Sequence, residues 1–223
     1  MKIKRLLTFI VFFSVASTAG ATVIRGAESV SNTVSKVAAG YGVINTINQS
    51  GLSDNYNNGI TDFDTFTNSV TGASHIYSAE NNEWYSELDA TETIDYYLGR
   101  VFTVDKIAIW NEDWYGISSV SIFASNDASF TNILSLGNFS VLNGDLTDNA
   151  KNVNYFADVL SFTAVNASYI RLELTGVTYT DQNGNAFTYT SMGEVAFSVI
   201  PEPSSLALLA FGLVGVGFTR KKK

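Results

Sequence analysis

Three short stretches of this chain alternate apolar and polar side chains with a period of two, and that period constrains the fold more than any other feature. They are Lys106-Ile107-Ala108-Ile109-Trp110, Val120-Ser121-Ile122-Phe123-Ala124 and Ile170-Arg171-Leu172-Glu173-Leu174. Successive side chains of a strand point to opposite faces, so each stretch reads as a strand with one apolar face. Residues 83–88, 93–98, 105–110, 120–125, 155–162, 169–174 and 194–199 are short, rich in β-branched and aromatic residues, and separated by turn chemistry. No helix of ordinary length is visible between the termini. Many short strands without a βαβ rhythm predict an all-β domain, a sandwich or barrel, and the longer connections favour a jelly-roll β-sandwich.

Ahead of these strands, residues 22–51 are polar and contain glycine. Val30, Val34, Val37 and the run Tyr41-Gly42-Val43-Ile44 are the pieces that suit an edge strand. Residues 52–64 are dense in Asn, Asp and Gly, which tolerate left-handed backbone and make Asx turns, so a loop rich in oxygen ligands is expected.

Both ends read as addresses. Lys2, Lys4 and Arg5 precede an apolar stretch over 6–15 and the small-residue site Ala19-Gly20-Ala21, the layout of a secretory signal peptide over 1–21. At the other end Pro201-Glu202-Pro203 cannot lie inside a helix, because proline fixes φ and lacks an N–H. A charge-free apolar run follows, flanked by Ser204 and Thr219, and the chain stops at Arg220-Lys221-Lys222-Lys223. Its length is short for the roughly 20 residues a spanning helix needs, the flanks over 204–219 extend it, and the terminal cations belong on the cytoplasmic side. About 180 residues remain between the ends, enough for one domain with a sizeable core.

This order of Pro-Glu-Pro, apolar span and basic end resembles the PEP-CTERM sorting signal of Gram-negative bacteria over residues 200–223. The resemblance implies transient anchoring of a helix over 204–219 in the inner membrane. Recognition of Pro201, Glu202 and Pro203 by an exosortase and attachment at the cell surface, or release, would follow. A plain C-terminal anchor that is never cut is the alternative.

Removing the ends changes the charge balance. Of thirteen Lys and Arg, seven lie in the two terminal segments, against one of twenty-one acids, so the body over 22–199 carries twenty acids and six cations. Such a surface argues against nucleic acid and anionic lipid as partners and supplies ligands for hard cations such as Ca²⁺. Cysteine is absent and His75 is the single histidine, which excludes disulfides, thiolate metal sites and His-rich zinc or iron sites.

A second resemblance rests on residues 93–111, Thr-Ile-Asp-Tyr-Tyr-Leu-Gly-Arg-Val-Phe-Thr-Val-Asp-Lys-Ile-Ala-Ile-Trp-Asn. An acidic strand ending in Leu-Gly, a short hydrophobic turn and a strand closing on Asn is similar to the central segment of discoidin, or coagulation-factor C-type, galactose-binding-like domains. Leu52-Ser53-Asp54 with Thr61, Trp84, residues 120–127, Tyr169-Ile170-Arg171-Leu172 and Gly193-Glu194-Val195 agree in order, so the likeness is strongest over 52–199. The early loop carries a longer Asn-rich insertion than that pattern has. The resemblance implies a structural Ca²⁺ held by Asp54, Thr61, Glu194 and backbone carbonyls near Leu52. Turn roles for Asp54 and Asn57 and a solvated charge at Glu194 are the alternative.

Ligands of such modules sit on loops at one end of the sandwich. Residues 110–116, Trp-Asn-Glu-Asp-Trp-Tyr-Gly, combine ring faces for sugar stacking with amide and carboxylate groups for hydroxyls. Asn111, Asp113, Trp114 and Tyr115 are the candidate ligand-binding residues, with His75 as an addition. In the alternative, Trp110 packs inward and Trp114 and Tyr115 are solitary surface aromatics. No catalytic residue is expected: a Ser-His-Asp arrangement would have to use His75, no G-x-S-x-G elbow exists, and pairs such as Glu112 with Asp113 or Glu80 with Glu83 arise by chance among twenty acids. The expectation is an exported surface or matrix protein that binds polysaccharide without catalysis, with a structural matrix protein lacking a specific ligand as the alternative and a glycan-active enzyme behind both.

Overall fold

The computed structural model describes residues 21–33, 39–72, 82–86, 91–111, 116–141, 155–180 and 182–202. Residues 1–20 of the expected signal peptide and the apolar run with its basic end lie outside the described residues. The chain builds β1 (Val23–Arg25), β2 (Ser29–Asn32), a 3-10 turn (Val43–Thr46), α1 (Phe63–Thr67), β3 (Thr71–Gly72) and β4 (Trp84–Ser86). There follow β5 (Thr91–Asn111), β6 (Ile117–Ser125), β7 (Leu134–Ser140), β8 (Tyr155–Phe156), β9 (Asp158–Thr180) and β10 (Ala186–Ile200).

Two long strands do the work of four. The stretches expected as separate strands over 93–98 and 105–110 are one strand, β5; that over 169–174 lies within β9, and that over 155–162 is split between the two residues of β8 and the start of β9. β5 bends at Gly99, whose φ of +93° is left-handed backbone that a side chain rarely adopts. Before the bend, residues 91–97 pair with β9 residues 175–169 and with β2; after it, residues 102–109 pair with β9 residues 167–158 and with β10. The path β1-β10-β5-β9-β6-β7 is therefore one antiparallel sheet folded over on itself into two layers.

Between the layers lies the main core. Ile94, Tyr96 and Leu98 from the first half of β5 meet Ile107 and Ile109 from the second, with Val120 and Ile122 of β6, Ile170 and Leu172 of β9, and Val195, Phe197 and Val199 of β10. The Tyr96 and Phe197 rings meet edge to face at 5.6 Å across it. The core-facing parity in β5 switches from even to odd residues because Asp105 is an extra residue, with Val104 opposite Val199 and Lys106 opposite Ser198. One inserted residue sends every later side chain to the other face. Trp84 is fully buried here, as the discoidin likeness implies.

A second cluster covers the outer face of the β5–β10 layer. Ala108, Trp110 and Ala196 pack there under Tyr56, Phe63, Phe66 and Val70, and the Trp110 Nε1–H donates to the Val70 carbonyl at 3.1 Å. α1 presents Phe63 and Phe66 to this face, and Asp62 caps it by accepting from the Thr65 N–H at 2.8 Å. Buried on both sides, residues 191–199 of β10 lose the polar alternation of a half-solvated strand. Tyr41-Gly42-Val43-Ile44 is not the expected edge strand. Residues 43–46 form a 3-10 turn that buries Asn45 and Thr46, with the Tyr96 hydroxyl donating to Thr46 Oγ1 at 3.1 Å.

Candidate functional site

The expected ligand loop leaves the end of β5 and re-enters the fold at β6. Its interior, 112–115, lies outside the described residues, as does His75, so Asp113, Trp114, Tyr115 and His75 have no described position. Its base is well defined. Trp110 is fully buried in the second cluster, which realises the inward-packing alternative for that residue. Asn111 is also fully buried, a correction to its expected ligand-facing role. Its Nδ2 donates to the Ile117 carbonyl at 2.9 Å, and its Oδ1 accepts from the Ile117 N–H at 2.8 Å. Both polar ends of the amide close the loop rather than face solvent.

Glu194 lies at the same end, opposite Trp110 in the β10–β5 pairing. It is 1 % exposed, which overturns the reading of a solvated strand charge. Its Oε2 accepts from the Gln49 N–H at 2.9 Å, while Oε1 is buried without a hydrogen-bond partner. Gln49 takes φ +61°, and its Oε1 accepts from the Tyr56 N–H at 2.8 Å, which ties the 48–56 turn to the sheet. Burial pushes the Glu194 carboxyl up to about 8, against the opposing pull of the Gln49 N–H and Tyr56. The Tyr56 phenol is raised above its ordinary value, first by its own burial and then by the neighbouring Glu194 charge.

The other two expected metal ligands belong to turns. Asp54 is exposed and its Oδ1 accepts from the Asn55 N–H at 2.8 Å; Thr61 Oγ1 accepts from the Asn57 N–H at 2.9 Å. No hydrogen bond links either to Glu194, and among the described residues no group of three His, Cys, Asp or Glu side chains could hold a metal. Glu194 Oε1 and the Tyr56 hydroxyl are both buried without a well-formed hydrogen bond, and the hydroxyl acts on the Glu194 carboxyl, so Glu194 offers one oxygen to a cation, whereas the Asp54 and Thr61 oxygens already serve their own loop. Gln49 and Tyr56 went unrecognised in the sequence, where the only signal was the turn-rich run Asn48-Gln49-Ser50-Gly51.

The sorting motif begins where the sheet stops. Ile200 pairs with Thr103, Pro201 follows directly, and Glu202 Oε1 lies 3.9 Å from Arg100 Nη1. Pro203 lies outside the described residues.

The fold defines an all-β jelly-roll sandwich with a tail leaving from one end, and the comparisons address those two parts separately. Residues 199–222 match the PEP-CTERM protein-sorting motif. No curated protein matches the chain. Among solved structures, the chain is similar to the CBM32 of AlyQ in complex with 4,5-unsaturated mannuronic acid (17 % identity, 78 % of this chain and 97 % of that one, TM-score 0.43). It is also similar to chitosan-binding module 1 of a chitosanase/glucanase from Paenibacillus sp. IK-5 (19 %, 80 % and 97 %, 0.44). A third is the family 32 CBM of C. perfringens NanJ in complex with galactose (14 %, 79 % and 99 %, 0.44). The sandwich itself stands on the strand order and the two buried clusters.

Proposed function

We propose that this chain is an exported cell-surface protein whose sandwich binds a polysaccharide without acting on it. The observation that carries this reading is the rigid base of the 112–116 loop. It springs from a strand buried on both faces and is closed by the paired Asn111–Ile117 hydrogen bonds. The closure fixes where the loop leaves and re-enters the sandwich, and the ring faces and oxygens of Asp113, Trp114 and Tyr115 suit sugar stacking and hydroxyl recognition. His75 is a further contributor in the same reading. The similar structures are described as carbohydrate-binding modules, in agreement with this function though not its basis.

The match at residues 199–222 supports export, transient anchoring through 204–219 and processing by an exosortase at Pro201-Glu202-Pro203. A structural Ca²⁺ is part of the proposal, with Glu194 as its firmest ligand and Asp54 and Thr61 as the further side chains; bound there, the ion would supply a fixed positive charge for a buried carboxylate and tie the early loop to β10. The test is a glycan array on the 22–199 segment with and without Ca²⁺. Selective retention of one polysaccharide class supports the reading, and a folded segment that retains none favours a structural matrix protein.

A further inference from the structure

The end of the sandwich that carries the tail has its own surface chemistry. Three residues, 201–203, separate the last paired residue of β10 from the segment beginning at Ser204. At about 3.3–3.6 Å per residue the four steps from Ile200 to Ser204 reach no more than roughly 14 Å. With 204–219 in a bilayer, that tether exceeds the headgroup layer, roughly 5–8 Å deep on each side, by only several ångströms even when fully extended, so this end is held at the headgroup surface.

What it presents suits that position. A cleft of about 670 Å³ opens between Val23, Gly59, Arg100 to Phe102 and Glu202. Ile60 and Val101 beside it are 78 % and 48 % exposed, the first being the most exposed large apolar side chain among the described residues. Arg100 and Arg25 lie over the Phe102 ring at 4.2 and 5.0 Å. Glu202 and Glu28 pair with these two arginines. Two of the body's six cations are thus gathered at an end where charge balances locally, while the body as a whole carries twenty acids. Exposed aliphatic tips flanked by arginines are the makeup of an interfacial contact.

We infer that the Gly59–Ile60 turn and the Arg100–Phe102 bend form a lipid-facing surface that rests in the headgroup layer of the membrane holding the tail. The inference depends on the reading of 204–219 as a membrane anchor. It also orients the domain: Thr103 opposite Ile200 and Asn111 opposite Met192 mark the two ends of the β5–β10 pairing. Eight residues at about 3.4 Å set the base of the 112–116 loop roughly 27 Å further from the bilayer.

The chain has no cysteine, so single labels are clean. Ile60→Cys, Val101→Cys and, at the exposed β9–β10 connection, Gln182→Cys variants of the full chain carry an environment-sensitive dye. They are reconstituted into phosphatidylcholine–phosphatidylglycerol vesicles containing a headgroup-region spin-labelled lipid. Quenching at 60 and 101 at least about twofold stronger than at 182 is the expected result. Equal quenching at all three sites in chains that float with the vesicles overturns the lipid-facing surface and leaves the anchor standing. Chains that fail to float overturn both. Shielding at 101 that appears only when the processing protease shares the membrane assigns this end to a protein partner and overturns the proposal.

Discussion

Asn111 and Ile117 hold each other by two hydrogen bonds, 2.9 and 2.8 Å long, across the ends of a loop whose side chains carry the proposed function. Both residues are fully buried. Asn111→Ala removes both partners and leaves a buried donor and acceptor on Ile117, each costing about 1–3 kcal/mol. Asn111→Asp keeps the acceptor but sets a carboxyl against the Ile117 carbonyl, where it must bury a charge or take up a proton. Urea unfolding near pH 7 is expected to show a loss of at least about 2 kcal/mol for the alanine variant and a comparable or larger loss for the aspartate. A change under about 0.5 kcal/mol in the alanine variant would show that the loop does not depend on this closure.

The burial of Glu194 is expected to make stability fall as pH rises. A carboxyl whose folded value is raised to about 8 from the ordinary 4.5 binds its proton more tightly when folded. The stabilisation is complete below about 4.5 and disappears as pH climbs through about 8. In EDTA, melting temperature is expected to decline between pH 5 and 8, by the equivalent of a few kcal/mol at most. Glu194→Gln, neutral at every pH, should flatten that decline. A wild-type profile as flat as the variant's contradicts the buried carboxyl.

Calcium should reverse this loss, because an ion that binds only the native state stabilises it by mass action, about 2.7 kcal/mol at a hundredfold excess over Kd. Ca²⁺ is expected to raise the wild-type melting temperature at pH 8. Glu194→Ala should abolish the increment. Asp54→Ala and Thr61→Ala decide whether those residues leave their turn bonds to join the ion: an increment kept in full by both variants removes them from the site. A transition unmoved by either Ca²⁺ or EDTA removes the site altogether.

Much of the fold was legible because period-two alternation survives wherever one face is wet. Val120, Ile122 and Ala124, and Ile170, Leu172 and Leu174, sit in the core as their alternation predicts. What hid the rest was local. The extra residue Asp105 shifts parity within β5, so one strand reads as two pieces. The sequence leaves open whether Trp110 belongs to the ligand loop or packs inward, because nothing in it announces that Phe63 and Phe66 cover Trp110 and Ala108. At the site, the chemistry of Trp114 and Tyr115 points to a ligand from the sequence alone, whereas Asn111 shows that an amide at a strand end serves closure as readily as recognition. Glu194 stands out in the sequence, but its burial depends on Gln49 and Tyr56, 145 and 138 positions away.

Processing has a simple mass signature. The mature surface protein is expected to lack the residues beyond Pro201-Glu202-Pro203 when an exosortase is present. Intact-mass analysis that finds Lys223 on the mature protein contradicts exosortase cleavage and favours an uncut anchor.

The central claim is that the 112–116 loop binds polysaccharide on a scaffold that does not need it. Trp114→Ala is therefore expected to lower binding and spare stability, whereas Trp110→Ala, in the second cluster, should cost about 3–5 kcal/mol of stability. Isothermal titration of the Trp114→Ala protein against the polysaccharide that the wild type retains, beside a melting curve of the same sample, measures both quantities together. The account predicts affinity lowered at least about fivefold, the lower end of the roughly 1–3 kcal/mol that a base-stacking aromatic ring contributes, with the melting temperature unchanged. Unaltered affinity in a folded Trp114→Ala protein would contradict it.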